Sequence, residues 1–235
     1  MNIQLALDRM SIQEAIDMAR WTEPYIDWIE VGTSLIKEFG MASVEAMKRE
    51  FPGKVIVADV KTFDNAIYEF ELCYRAGADV ATVMGASPPV TVDLCIKTAR
   101  TWGRQVMIDL LHTTPEEQAA LARYREAVHC RHVSKDQQEN GTHLTGTGAY
   151  GNAPGTGDAL TGNRRAAPSG APGSASVSPA ELRIAAAGGI ILDSLPGLLA
   201  MKPEVIIVGS SITKAADPVA AARSFQDCIR KLGRR

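Results

Sequence analysis

No run of apolar residues in this chain approaches the roughly 18 that a membrane-crossing helix requires. Blocks of like charge are missing too: 25 basic and 27 acidic residues leave a formal net charge of -2, and the basic ones are scattered. That distribution offers no electrostatic footprint for nucleic acid or an anionic membrane, and the terminal RKLGRR reads as a solvated helix end. Cysteine is scarce. Cys73, Cys95, Cys130 and Cys228 lie far apart with no CxxC pair, which argues against a thiolate metal site or redox motif and leaves reduced packing residues. The opening MNIQLALDRM has no basic stretch leading into an apolar core and a small-residue cleavage site, so export is not expected and a cytoplasmic location is.

What is present is a repeated unit. With 46% hydrophobic and 22% charged residues in 235, the chain can bury a sizeable core. Eight short apolar runs recur along it, at 3–8, 26–32, 55–60, 79–85, 105–111, 127–133, 182–189 and 204–210. Between them lie helix-like stretches such as SIQEAIDMARWTE and DNAIYEFELCYRAG, the second closing on Gly77 as a helix C-cap would. Strands alternating with helices predict parallel βαβ units. Eight such units in 235 residues predict a closed (β/α)8 TIM barrel, one domain over 1–235. A doubly wound open sheet is the alternative.

A barrel gathers its chemistry where strands end and the following loops begin. In order, these strand ends carry Asp8, Glu30, Asp59 with Lys61, Gly85, Asp109, His132, Gly188 with Gly189, and Gly209 with Ser210. The third reads VIVADVKTFDNA. Asp59 and Lys61 are two apart and on an extended strand share a side, while Asp64 falls in the loop or first helical turn. Clustered charges are costly to bury unless they pair, bind a metal or bind a charged ligand. A purely structural ion-pair network is one reading. Glu30 and Asp59, hard oxygen donors on adjacent strands, favour Mg²⁺, which takes one or two carboxylates plus water and substrate oxygens. Histidine, whose unperturbed pKa of about 6.5 lies near neutrality, is a natural proton shuttle, and His132 stands at a strand end, whereas His112, His129 and His143 lack such a setting. The paired glycines let backbone N–H groups approach a phosphate oxyanion.

The segments LALD, IEVGT, ADVKTFD, AAAGGI and VGSSI resemble the orotidine 5′-monophosphate decarboxylase suprafamily, and within it the 3-hexulose-6-phosphate synthases. The likeness covers 1–136 and 181–230. It implies an Mg²⁺-dependent aldol condensation of formaldehyde with D-ribulose 5-phosphate, through an enediolate, to D-arabino-3-hexulose 6-phosphate. By the same resemblance Glu30 and Asp59 hold the metal, Lys61 adds a second positive charge, and His132 moves the proton. Asp8 and Asp109 orient hydroxyls and the incoming aldehyde, and Gly188, Gly189, Gly209 and Ser210 receive the phosphate. Asp64 would cross into the other subunit of a homodimer. The 3-keto-L-gulonate-6-phosphate decarboxylases are the nearby alternative, but they carry glutamate, threonine and arginine where this chain has Asp109, Ala187 and Ser210. Lys135, three after His132, points towards them, because those decarboxylases have arginine there.

One stretch departs from the family pattern. Residues 137–178 hold nine glycines in 42 positions, with neither helical nor strand periodicity, where the family places a compact helix. The segment is expected to be irregular or disordered. Its GTGAYG follows no strand and opens no helix, so it is no dinucleotide fingerprint. The approach to the sixth strand is also about three residues short. A catalytically impaired barrel, kept as a binding or scaffold protein with His132 misplaced, is therefore a third reading.

Overall fold

A computed structural model describes residues 1–140, 142–144, 150–152 and 182–232. All eight apolar runs form strands: β1 (Asn2–Leu7), β2 (Trp28–Val31), β3 (Val55–Thr62), β4 (Val80–Met84), β5 (Gln105–Asp109) and β6 (Val128–His132), then β9 (Arg183–Ala187) and β10 (Val205–Val208). Between β6 and β9, β7 (Thr142–Leu144) pairs antiparallel with β8 (Tyr150–Asn152). The eight barrel strands run parallel in the closed order β1-β10-β9-β6-β5-β4-β3-β2. Closure comes from β10 pairing with β1, Asn2 opposite Val205 and Leu5 opposite Val208. The open doubly wound sheet is thereby excluded, and the barrel expected from the pattern is what forms.

Among the described residues, ten helices pack around and between these strands: α1 (Ile12–Thr22), α2 (Thr33–Phe39), α3 (Met41–Glu50), α4 (Ala66–Arg75), α5 (Pro89–Trp102), α6 (Pro115–Leu121), α7 (Lys135–Glu139), α8 (Leu195–Leu199), α9 (Ser210–Thr213) and α10 (Pro218–Leu232). Local chemistry starts several of them. Ser11 caps α1 and Glu14 reaches back to it, Thr114 and Glu117 do the same for α6, and Ser134 and Gln137 for α7. Alternation along the strands sorts the core into two parts. Trp28, Val57, Val80, Met107, Val128, Ala185 and Val205 fill the barrel interior, while Ile29, Ile56, Ala81, Ile108 and Ile206 face outward to the helices.

Three cysteines are buried and all four are free. Burial pushes the Cys73 thiol up to about 12, as expected of packing residues. Two sequence expectations need correction. Gln137, Gln138 and Glu139, read as the start of an irregular segment, belong to α7, because Ser134 supplies an N-cap that glycine counting does not see. The short approach to β6 does not disturb it either. The strand pairs through five positions with β9, from Val128–Arg183 to His132–Ala187. Of the rest of the expected irregular segment, Asn140 at the end of α7 and the β7 and β8 backbones are described, and GTGAYG lies outside the described residues except for Tyr150 and Gly151.

A candidate active site at the strand ends

One cavity of about 680 Å³ opens at the C-terminal ends of the strands. It is lined by every predicted site residue except Asp64. Glu30, Asp59 and Asp109 are buried on its wall, at 7%, 7% and 3% exposure.

Asp59, Lys61 and Asp109 form its centre. Lys61 Nζ lies 3.1 Å from the Asp59 carboxylate and 2.8 Å from Asp109 Oδ2. His132 Nδ1 is 2.8 Å from that same Asp109 oxygen, and Asp109 Oδ1 accepts from the Leu111 N–H at 2.9 Å. Burial alone would raise the Asp109 pKa, but His132 and then Lys61 hold it well below the usual carboxylate range. Burial alone would lower the Lys61 pKa, but Asp59 and then Asp109 raise it above that of a free lysine. The ion-pair network foreseen as the structural alternative therefore exists, and it forms the wall of an open cavity.

Lys61 does not reach this place as a regular strand residue. Its φ is +51°, in the left-handed region, and the pairing of β3 with β4 shifts register between Ala58 and Thr62. The extended geometry assumed from the two-residue spacing is thus corrected: a bulge sets the convergence.

Glu30 is short of positive charge. Its burial first, then the Asp59 carboxylate, push its pKa up to about 8, against the pull of Lys61. The Gln4 side-chain amide donates to it, leaving Gln4 Oε1 buried with no hydrogen-bond partner among the described residues. Asp59 also accepts from Thr33 Oγ1 at 2.7 Å and Thr82 Oγ1 at 2.9 Å. Two hard carboxylates held side by side in this way could hold a divalent cation, with ligand oxygens completing its shell. Among the described residues no group of three His, Cys, Asp or Glu side chains converges into a closed cage.

Asp8 lies at the β1 end, where its Oδ1 accepts from Ser34 Oγ at 2.7 Å and the Ser34 N–H at 3.2 Å. Gly32 makes this possible, since a Cβ there would run into the Asp8 carboxylate. At the ends of the neighbouring strands β9 and β10, Gly188 and Gly189 have φ of +100° and +65°, and Gly209 leads into α9 at Ser210. A Cβ on Gly188 would collide with the Val133 backbone. Gly188→Ala is expected to lower Tm and, by displacing this part of the cavity wall, to cut turnover by roughly a hundredfold. Thermal melts and initial rates check it.

Asp64 stands apart. It is exposed on the loop before α4 and accepts from the Asn65 N–H at 2.7 Å. His129 is 2% exposed against the Tyr124 carbonyl, a packing role. Sequence reasoning missed Gln4, Gly32, Thr33 and Thr82. Each sits inside or beside an apolar run, where a threonine or glutamine reads as strand filler.

Comparison with known proteins gives one answer. The model of the orotidine 5′-phosphate decarboxylase / HUMPS family matches residues 1–225. The 3-hexulose-6-phosphate synthase of Bacillus subtilis (strain 168) is 30% identical over 231 residues, covering 97% of this chain and 99% of that one. That of Mycobacterium gastri is 29% identical over 234 residues, covering 97% and 100%. The crystal structure of 3-hexulose-6-phosphate synthase from Salmonella typhimurium superposes with a TM-score of 0.81 at 29% identity, covering 99% and 100% of the two chains. A crystal structure of KGPDC from Streptococcus mutans has a TM-score of 0.79 at 23% identity, covering 98% of each chain, which speaks for the fold alone. A barrel with charged strand ends converging on one cavity, and a family model spanning almost its whole length, lead to one conclusion: this chain is an enzyme that belongs to the orotidine 5′-phosphate decarboxylase / HUMPS family.

Proposed function

We propose that the enzyme is an aldehyde-lyase that condenses formaldehyde with D-ribulose 5-phosphate to D-arabino-3-hexulose 6-phosphate, using Mg²⁺. The observation that carries this reading is the Asp59–Lys61–Asp109–His132 chain, each link between 2.8 and 3.1 Å. Through it a fixed ammonium and an imidazole, both anchored on Asp109, stand at the wall of one cavity. The buried Glu30 and Asp59 carboxylates and the proton affinity of Glu30 fit a divalent cation at the same wall. When bound there, Mg²⁺ would act as a Lewis acid on the substrate oxygens.

The chain's own groups do the rest. The reaction removes a proton from the sugar carbon beside the carbonyl, leaving an enediolate. That carbon then bonds to the formaldehyde carbon, and the aldehyde oxygen takes up a proton to become the new hydroxyl. His132, with Nδ1 held by Asp109, offers Nε2 to move these protons. The Lys61 ammonium meets the charge that develops on the enediolate, in a site too buried for water to screen it fully. Asp8 and Asp109 orient hydroxyls and the aldehyde, while the turns at Gly188, Gly189, Gly209 and Ser210 present N–H groups to the phosphate.

Asp64 is left for a second subunit. It is exposed beside Phe63 (51%), Ile67 (48%) and Tyr68 (57%), an apolar face suited to burial in a homodimer that carries Asp64 into the partner's cavity. Lys135 favours a side activity, since it lines the same cavity three residues past His132. Decarboxylation of 3-keto-L-gulonate 6-phosphate passes through a comparable enediolate and uses a cation at that position.

Formaldehyde loss in the presence of ribulose 5-phosphate tests the reading. Turnover is expected with Mg²⁺, to vanish with excess EDTA and to return when Mg²⁺ is restored. Turnover indifferent to EDTA would remove the metal from the mechanism. Decarboxylation without condensation would transfer the chain to the alternative reaction.

A further inference from the structure

We propose that Thr82 is a positioning residue: through its one hydroxyl it holds the β3 bulge and thereby aims both Lys61 and Asp59 into the cavity. The pairing register shows the bulge. Ala58 lies opposite Ala81 and Thr62 opposite Val83, so Asp59, Val60 and Lys61 together face Thr82 alone. Residues bulged out in this way lose their ladder partners, and a backbone N–H at a buried wall needs another acceptor.

Thr82 supplies it. Its Oγ1 accepts from the Lys61 N–H at 2.8 Å and donates to Asp59 Oδ1 at 2.9 Å. The assignment of roles is forced by the chemistry. An amide N–H only donates and an ionised carboxylate only accepts, so the single hydroxyl proton goes to Asp59. Thr82 is 3% exposed and its β-branched side chain has restricted rotation, so the hydroxyl is held in one place. Lys61 needs such a hold. With φ at +51° it occupies a conformation that residues with a Cβ seldom adopt. Relaxation to negative φ would swing its ammonium away from Asp109. Thr82 thus fixes in one step the strained backbone of one charged group and the carboxylate orientation of the next.

The kinetic part of the test rests on the aldolase reading, and the crystallographic part does not. Thr82→Val keeps the β-branched shape and removes both hydrogen bonds, whereas Thr82→Ser keeps the hydroxyl. Thr82→Val is expected to lower kcat by roughly tenfold to a hundredfold, with the KM for ribulose 5-phosphate little changed, and Thr82→Ser to stay close to wild type. A crystal structure of Thr82→Val is expected to show Lys61 at negative φ with its ammonium off Asp109. Wild-type kcat in Thr82→Val, an effect confined to KM, or equal losses in the two variants would overturn the proposal. So would a Thr82→Val crystal structure with Lys61 unmoved. If wild type itself fails to condense formaldehyde, the aldolase reading falls, and the Lys61 conformation in the variant crystal alone decides the role of Thr82.

Discussion

Asp59→Asn is expected to lower turnover on the order of a thousandfold and to abolish Mg²⁺ binding measured by calorimetry. The side chain keeps its size, and its carbonyl oxygen can still accept from Thr82 while its new amide group donates to the Thr33 hydroxyl, so the barrel should melt near the wild-type temperature. What it loses is charge. Glu30 is buried, and the Asp59 carboxylate beside it already raises its proton affinity. With Asp59 neutral that repulsion disappears, and a lone buried carboxylate is a poor site for a strongly hydrated cation. Mg²⁺ affinity equal to wild type in Asp59→Asn would place the cation elsewhere.

Lys61→Met is the second large effect, and it separates two roles that Asp59→Asn merges. The ammonium bridges Asp59 and Asp109, and in the proposed reaction its removal would strip the developing enediolate of a fixed positive charge. Turnover is expected to fall by a further factor of the same order, roughly a hundredfold to a thousandfold. Mg²⁺ binding should survive, even strengthen, because the carboxylates lose a competing cation. Breaking a buried ion pair commonly costs about 3–5 kcal/mol. Here the lower end is expected, since Asp109 keeps His132 and the Leu111 N–H, and Asp59 keeps Thr33 and Thr82. Calorimetry beside initial rates checks the pair. If Lys61→Met loses the metal along with turnover, Lys61 organises the cation site instead of acting on the substrate.

Much of this site is legible in the sequence for a simple reason. A parallel barrel buries its strands on both faces, so each strand is a mostly apolar run such as VIVADV or EVIIVG, and a charged residue within the last three positions of the run marks the rim. Glu30, Asp59, Asp109 and His132 were recognisable from that alone, before any partner was known. The same signal fails for polar residues inside the run. Gln4 and Thr82 sit one or two positions from apolar neighbours, and only their burial on the inner face reveals that one hydrogen-bonds Glu30 and the other Asp59. Composition misled at Gln137–Glu139, where an N-cap made a helix out of residues that glycine-rich surroundings had marked as irregular.

By itself the sequence determined the number of barrel strands, their alternation with helices and the identity of the charged groups at the rim, because these depend on local hydrophobic period and on covalent order. Which charge touches which was decided only by the tertiary structure. Lys61 meets Asp109, 48 positions away, because β3 and β5 flank β4 in a closed sheet and because a bulge turns the Lys61 backbone to positive φ. Neither fact has a local signature: register between strands is set by backbone hydrogen bonds to residues more than 20 positions distant, and those bonds exist only once the barrel has closed.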